Sequence, residues 1–436
     1  MGIALSEDHR LLVDAVQNFA RAELAARDIE WDRTETSCCS EFDQLYAMGL
    51  MGLRVPEEHG GLGCPTVPYA HIIRELSYAS PSVAVTISVH SMVCEIVNQF
   101  AGDMAKNDIL PQLVEPGNLS AFAISEPNAG SDPSSATTRA DKVDGGWKLS
   151  GAKMWVTNGI TGRWFAVLAR TKPDELSMLL LDAHSDGVER NIIHGKMGIR
   201  GSETAEMSLE DVFVPEERLL GEPGWGMRIA LTALDGGRIG IASQAVGIAC
   251  AAIDLMVAYA KERVQFDKPI ASFQAIQWMI ADSQTEMMAS QLLIDQAAWL
   301  KDQDQPYTQA ASMAKLYASE AACRIADRGI QVHGGYGYSN EFRAEQLYRD
   351  ARITRIYEGT SEIQRIVIAR NLLNESYCAD RPRLTGTATP CFARCGPQRI
   401  AAPSPRQPIR ARNASEGQQA TQARGASEGL AIIPRV

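Results

Sequence analysis

The sequence predicts an α+β multidomain protein: an N-terminal helical domain, a central small β-barrel or sandwich domain, and a C-terminal four-helix bundle. Three observations predict it. Apolar residues recur at helical spacing in the first and third parts of the chain, the middle breaks into short β-prone runs between turn residues, and 436 residues exceed what one hydrophobic core serves. Apolar content of 45% and charged content of 22% are ordinary for a globular protein, and a net charge of −11 argues against nucleic acid or anionic lipid as a partner.

Residues 1–118 read as helical. Leu11, Leu12, Ala15, Val16 and Phe19 follow helical spacing, as do Ile72, Ile73 and Leu76, while Pro56 and the segment EEHGGLG mark a loop. The N-terminus has no basic segment followed by an apolar run, so no secretory signal is expected and a cytoplasmic location is. Gly2 and Ser6 fit a myristoylation pattern, but no basic cluster supports it and coincidence is the expected explanation. Nine scattered cysteines and seven dispersed histidines make neither a disulfide framework nor a metal site, so no metal is expected.

Residues 119–226 read as a β domain. RADKVDGGWKLSG carries Asp144-Gly145-Gly146 between two alternating segments and predicts a hairpin; MWVTNG, RWFAVLAR and LSMLLLDA read as further strands. Residues 227–377 read as long Ala-rich helices joined by short breaks such as FDKPIAS. Within them Gly240 to Ala260 has membrane-spanning length, but Gln244 and Asp254 interrupt it, and a tightly packed soluble helix with no membrane role is the expectation. Residues 378–436 change texture again. Nine arginines, no lysine and three acids give this tail a local charge of +6, and its Pro, Gly, Ser and Gln content predicts disorder, with a basic docking tail as the alternative.

Several chemistries are excluded by pattern. GWKLSGAK misplaces the lysine of a phosphate loop and lies in a hairpin; no dinucleotide G-x-G-x-x-G follows a strand, and no G-x-S-x-G elbow occurs. His59 and His333 lie beside glycines in turns and read as structural.

Other segments carry more. AFAISEPNAGSDPSS (Ala121 to Ser135) is a strand running into a turn-rich loop, either a plain connector or a loop whose amides and hydroxyls face a polar ring system. In MWVTNG, Trp155 and Val156 point to opposite faces, and a tryptophan in a small β domain is ordinarily core. GIRGSETAEMSLEDVFVPEERLLG reads as a late strand and exit loop. YAKERVQFDKPIASFQAIQ carries Arg263, Phe266, Phe273 and Gln274 around a helix break, and QVHGGYGY ends a helix on a double glycine. IYEGTSEIQRIVIAR places Glu358 just outside a helix beginning at Ser361, with a capping box from Ser361 to Gln364 and with Ile363, Ile366 and Val367 on its apolar side.

In this order and at these separations, the segments resemble the acyl-CoA dehydrogenase family of FAD flavoenzymes over all but the tail. LDGGRIGIASQAVGIA and YEGTSEIQRIVIAR look most like the short-chain or short branched-chain members. The resemblance implies that Phe122, Ala123, Ile124, Ser125, Gly130 and Ser131, with Trp155, Val156 and Thr157, hold the isoalloxazine and ribityl groups. It implies that Arg263, Phe266, Phe273, Gln274 and the run Gln331, Val332, His333, Gly334 and Gly335 reach the FAD of a neighbouring subunit, and that Thr360 and Glu362 contact its ADP portion. Ser131, Asp235, Gly236, Gly237, Arg238 and Gly359 match substrate contacts, and the implied assembly is a homotetramer, a dimer of dimers.

The implied reaction is α,β-dehydrogenation of a short acyl-CoA, in fatty-acid β-oxidation or branched-chain amino-acid catabolism. A base takes the α-proton, hydride passes from the β-carbon to flavin N5, and electrons go on to electron-transferring flavoprotein. In the isovaleryl and long-chain branches of the family the base sits on the helix just before the arginine matching Arg238. Here that position is Gly237, which leaves Glu358 as the base. Burial against flavin and acyl chain on substrate binding is expected to raise the pKa of Glu358, and Gln244 is expected near the acyl pocket. The competing expectations are an acyl-CoA oxidase using oxygen and a non-catalytic acyl-CoA-binding relative.

Overall fold

In the computed structural model the described residues are 5–373, which belong to one compact unit. The basic tail expected at 378–436 and the Gly2 end of the acylation motif lie outside them.

The N-terminal part is helical. α1 (Glu7–Phe19) is capped by Ser6, whose hydroxyl accepts from the His9 N–H at 3.2 Å, and passes through a π-helical turn at Ala20–Leu24 into α2 (Ala25–Thr34). The short α3 (Asp43–Ala47) precedes α4 (Thr66–Ala79), α5 (Pro81–Phe100) and α6 (Asp103–Leu113). α5 starts where Ser80 accepts from the Val83 N–H, and Pro81 takes the first helical position, where a missing N–H loses no bond.

β1 (Ser120–Ala123), β2 (Arg139–Val143), β3 (Gly146–Thr157), β4 (Trp164–Lys172), β5 (Glu175–Asp182), β6 (Val188–Ile192), β7 (Thr204–Pro215) and β8 (Leu219–Leu220) follow. They form one sheet in the order β6-β7-β3-β2-β4-β5-β8, with β1 parallel to β4. The expected hairpin joins β2 to β3 with Val143 opposite Gly146, and Gly145 takes a positive φ of 72° in the turn. β4 is apolar and buried from Trp164 to Ala169 because both its faces are covered there. Phe165, Val167 and Ala169 meet Val156, Leu179 and Val212, so strands from both ends of the sheet enclose one core. Trp164, Ala166 and Leu168 face the other way, onto Val93 of α5 and residues Ile229 and Ile241.

Those last two belong to α7 (Gly226–Glu262), which a small hairpin of β9 (Val264–Gln265) and β10 (Lys268–Pro269) joins to α8 (Gln274–Asp302). α9 (Thr308–His333), α10 (Arg343–Ile353) and α11 (Ser361–Leu373) complete the helical part. By length and composition α5 and α7 could each cross a membrane, but 78% and 72% of their apolar windows are buried inside the fold. Their apolarity is spent on packing, as expected for Gly240 to Ala260. Ala245, Val246, Ala249 and Ala252 of α7 share a core with Ala311, Ala318 and Ala322 of α9, where small side chains let the helices come close.

One expectation fails. The apolar side foreseen for α11 is not buried: Ile366 is 51% exposed, and Ser361 and Gln364 are the buried residues of that helix. Within one chain α9 is the main neighbour of α11, and Ile366 lies on the side turned away from the buried Ser361 and Gln364.

Candidate active site

Glu358 stands between α10 and α11 with φ of +51°, a left-handed conformation uncommon for a residue with a side chain. Gly359 follows at +84°, and a Cβ there would lie 2.7 Å from Gln364 Nε2. Two neighbours hold this reversed backbone. Gln364 Nε2 donates to the carbonyls of Glu358 (3.1 Å) and Gly359 (2.9 Å), and Lys315 Nζ from α9 donates to the Gly359 carbonyl at 2.7 Å. On the other side Tyr357 donates its phenol to Gln244 Oε1, and Gln244 donates to the Pro81 carbonyl at 2.8 Å. Gln244, expected beside the acyl group, is thus engaged in pinning the residue before Glu358.

The capping box is placed differently from its sequence pattern. Thr360 Oγ1 accepts from the Ile363 N–H at 3.3 Å, so Thr360 caps the helix. Ser361 is already inside the first turn, its N–H donating to the Arg355 carbonyl, and its buried hydroxyl has no partner among the described residues. Gln364 turns to the carbonyls of the Glu358 loop instead of a cap N–H.

The Glu358 side chain points at α7. A Cβ on Gly237 would fall 2.4 Å from its Oε2, so the absence of a side chain at 237 is what leaves room for the carboxylate. Oε2 is buried without a hydrogen-bond partner among the described residues, and burial pushes the carboxyl up to about 7 against the pull of Arg238 and Lys315. The shift is present in the free protein, ahead of any substrate. Burial also pushes the Lys315 ammonium down to about 8, partly offset by Glu358. Arg238, 3% exposed, donates to Asp235 and to Ser312 Oγ (3.2 Å), and Asp235 accepts from Thr308; the buried Arg238 Nε has no partner among the described residues. Asp235, Gly237, Arg238, Glu358 and Gly359 are therefore gathered at one place, as expected.

Trp155 corrects the core expectation. A bulge between Lys153 and Val156 in the β3–β7 pairing, with Trp155 at φ +60°, turns its indole out of the sheet to 59% exposure, while Val156 stays buried. Below it the buried Lys153 donates to Glu126 Oε1 at 2.8 Å, and Glu126 also accepts from the Thr137 and Thr138 N–H groups, which braces the loop after β1. The Met154 N–H donates to the Ser125 carbonyl at 2.9 Å, joining this loop to the bulge. Phe122, Ile124, Ser125 and Thr157 are half-buried beside it, Ala123 is buried, and Gly130 and Ser131 are exposed. An exposed flat indole next to a braced loop with free hydroxyls fits a flavin, which needs an aromatic wall and a hydrogen-bonding edge.

A further group of expected residues clusters elsewhere. Arg263 lies 5.6 Å over the Tyr336 ring, Phe266 meets Phe273 edge-on at 5.9 Å, and His333 stacks on Tyr259 at 4.3 Å. Val332 is buried, Gln274, Gln331, Gly334 and Gly335 are exposed beside them, and Phe266 is 87% exposed. Arg263 ends α7, twenty-six residues beyond Gly237, a rise of about 39 Å along the helix. One chain does not bring this patch to Glu358. Thr360 is half-buried and Glu362 exposed at the start of α11.

Sequence reasoning missed Lys315 and Tyr357. Lys315 is fully buried on the stripe of Ala311, Ala318 and Ala322, and a lysine on an apolar stripe is the signal that could have found it.

Models of the acyl-CoA dehydrogenase N-terminal, middle and C-terminal domains match residues 6–116, 121–212 and 224–373. Acryloyl-CoA reductase (NADH) of Anaerotignum propionicum is 39% identical over 86% of this chain and 96% of its own. The mitochondrial short-chain specific acyl-CoA dehydrogenase of Mus musculus is 40% identical over 85% and 91%. The structure of butyryl-CoA dehydrogenase from Megasphaera elsdenii superposes with a TM-score of 0.83 at 36% identity, covering 86% of this chain and all of its own.

Proposed function

The chain belongs to the acyl-CoA dehydrogenase family and is an FAD-dependent oxidoreductase, and from that premise we propose that it converts a short acyl-CoA to its trans-2-enoyl thioester with Glu358 as the base. The observation that carries the assignment is Glu358 Oε2, buried against Gly237 and unpartnered among the described residues.

A free glutamate ionises near 4.5 and is a weak base, whereas a carboxylate brought to about 7 is half ionised at neutral pH and takes a proton more readily. Glu358 removes the α-proton. Its backbone N–H, which meets no acceptor among the described residues, is free to donate to the thioester carbonyl as charge develops there. FAD, held by the Trp155 bulge and the loop from Ser125 to Ser131, supplies the hydride acceptor for the β-hydrogen when bound. Lys315 and Gln364 fix the loop, Tyr357 anchors it from behind, and Arg238 with Lys315 keeps the carboxyl from staying protonated throughout.

Electron-transferring flavoprotein is the proposed acceptor of the electrons. An assembly in which the Arg263–Phe266 patch serves a neighbour's flavin is supported by its distance from Glu358 and by its exposed aromatics. The deciding experiment is Glu358→Gln: the variant is expected to keep its yellow FAD spectrum and lose flavin bleaching by butyryl-CoA under anaerobic conditions. Bleaching at even a tenth of the parent rate would remove Glu358 from the role.

A further inference from the structure

Lys153, the lysine of GWKLSGAK, stands in β3 at the edge of the Trp155 bulge, with its side chain fully buried. Its Nζ donates to Glu126 Oε1 at 2.8 Å, and Glu126 also accepts from the Thr137 N–H (2.7 Å), the Thr137 hydroxyl (2.8 Å) and the Thr138 N–H (3.0 Å). Burial works against both charges. Lys153 and the threonine donors still hold the Glu126 carboxyl down at about 2, while burial keeps the Lys153 ammonium below its ordinary value and Glu126 partly restores it. A brace alone does not call for such a pair, since apolar side chains of similar volume often hold a buried junction as well as ions do.

The second contact of the ammonium shows what the charge acts on. Lys153 Nζ lies 3.5 Å from the Ile124 carbonyl oxygen. That carbonyl shares a peptide unit with the Ser125 N–H, and the described peptide bonds are all trans, so the two groups point in opposite directions. The Ser125 N–H is therefore turned away from Lys153. It has no acceptor among the described residues, and Ser125 is only half-buried. A positive charge at the carbonyl end of a peptide unit polarises it and strengthens its N–H as a donor. The Ser125 carbonyl is held separately, by the Met154 N–H at 2.9 Å, so the loop after β1 is fixed to β3 on both sides of this one free N–H.

Hydride uptake leaves a bound flavin with one added negative charge, and a fixed N–H donor backed by a cation stabilises such a charge. We infer that Lys153 is a positioning residue of the cofactor site: through the Ile124–Ser125 peptide it aims the Ser125 N–H at the flavin and favours the ring's reduced, anionic form. Glu126 keeps the lysine charged in its buried place and limits the strength of its field. The inference rests on the proposed seat of FAD at the Trp155 bulge and the Ser125 loop, and adds to it what sets the balance between oxidised and reduced cofactor.

The test is the midpoint potential of FAD on the holoenzyme, read by anaerobic reductive titration against a reference dye near pH 6 and without acyl-CoA. Lys153→Met keeps the bulk and removes the charge, and is expected to bring the potential below the parent's. Glu126→Gln keeps the ammonium and removes its counter-charge, and is expected to bring the potential above the parent's. Loosening of the brace would move both variants the same way, because both break the same bond. Shifts of one sign, or an unmoved potential in either variant, overturn the inference and leave the proposed flavin seat standing. Should Lys153→Met shed its FAD, Glu126→Gln decides alone: a raised potential supports the inference and any other result overturns it. A parent protein that takes up no FAD overturns the inference together with the flavin seat it rests on.

Discussion

Glu358 shows how much a single side chain owes to its surroundings. Its folded pKa of about 7 lies above the free value of 4.5, so the protonated form persists through the acid range and the basic form accumulates as pH rises through 7. The rate of anaerobic bleaching is therefore expected to climb from pH 6 to pH 8 and then level, following one ionisation. Lys315→Met removes a buried positive charge that favours the carboxylate, and with it the Gly359 carbonyl's donor. The midpoint should move alkaline by on the order of one pH unit. An unmoved midpoint with a reduced plateau would assign Lys315 to loop geometry alone. Glu358 as the proposed base was legible because YEGTSEIQ sets one acid before a helix and Gly237 removes its alternative. Lys315 was not legible as a partner, since its distance from Glu358 along the chain carries no hint that α9 crosses beneath the loop.

At the scale of elements, the α11 start separates pattern from bond. Thr360 and Ser361 are adjacent hydroxyl residues, and sequence spacing to Gln364 selects the wrong one. Thr360→Ala is expected to cost about 1 kcal/mol in chemical denaturation, the usual loss of a helix cap. Ser361→Ala should cost less, because its hydroxyl is buried without a partner among the described residues. Equal losses would return the cap to Ser361. The β3 bulge makes the same point: period-two alternation predicts which residues share a face, but one inserted residue re-aims Trp155 from core to solvent. The hairpin at Asp144-Gly145 and the existence of β4 were legible, since turn chemistry and an apolar run are local properties; the burial of both β4 faces was not.

At the scale of the molecule, a helix of 37 residues keeps the two proposed sets of site residues apart. If the Arg263–Phe266 patch serves a neighbouring chain's flavin, damage to the two sets is complementary. Co-expressed Glu358→Gln and Phe266→Asp chains, each weak or inactive alone, should regain a substantial fraction of parent activity in mixed assemblies. No recovery in mixed assemblies verified by mass would mean that each chain completes its own site.

By itself the sequence determined the three structural textures, the hairpin and the packed α7, and it singled out the loop after β1 and Glu358 as the residues proposed for flavin and base, because each depends on spacing within a few residues or on a motif held in one segment. Only the tertiary structure decided what those parts face. It set Gly237 against the Glu358 carboxylate, Lys315 under its loop, Tyr357 on Gln244, and Lys301 on Glu95. The physical reason is that a pKa or an idle donor belongs to groups brought together by packing, from segments dozens to more than a hundred residues apart in the chain.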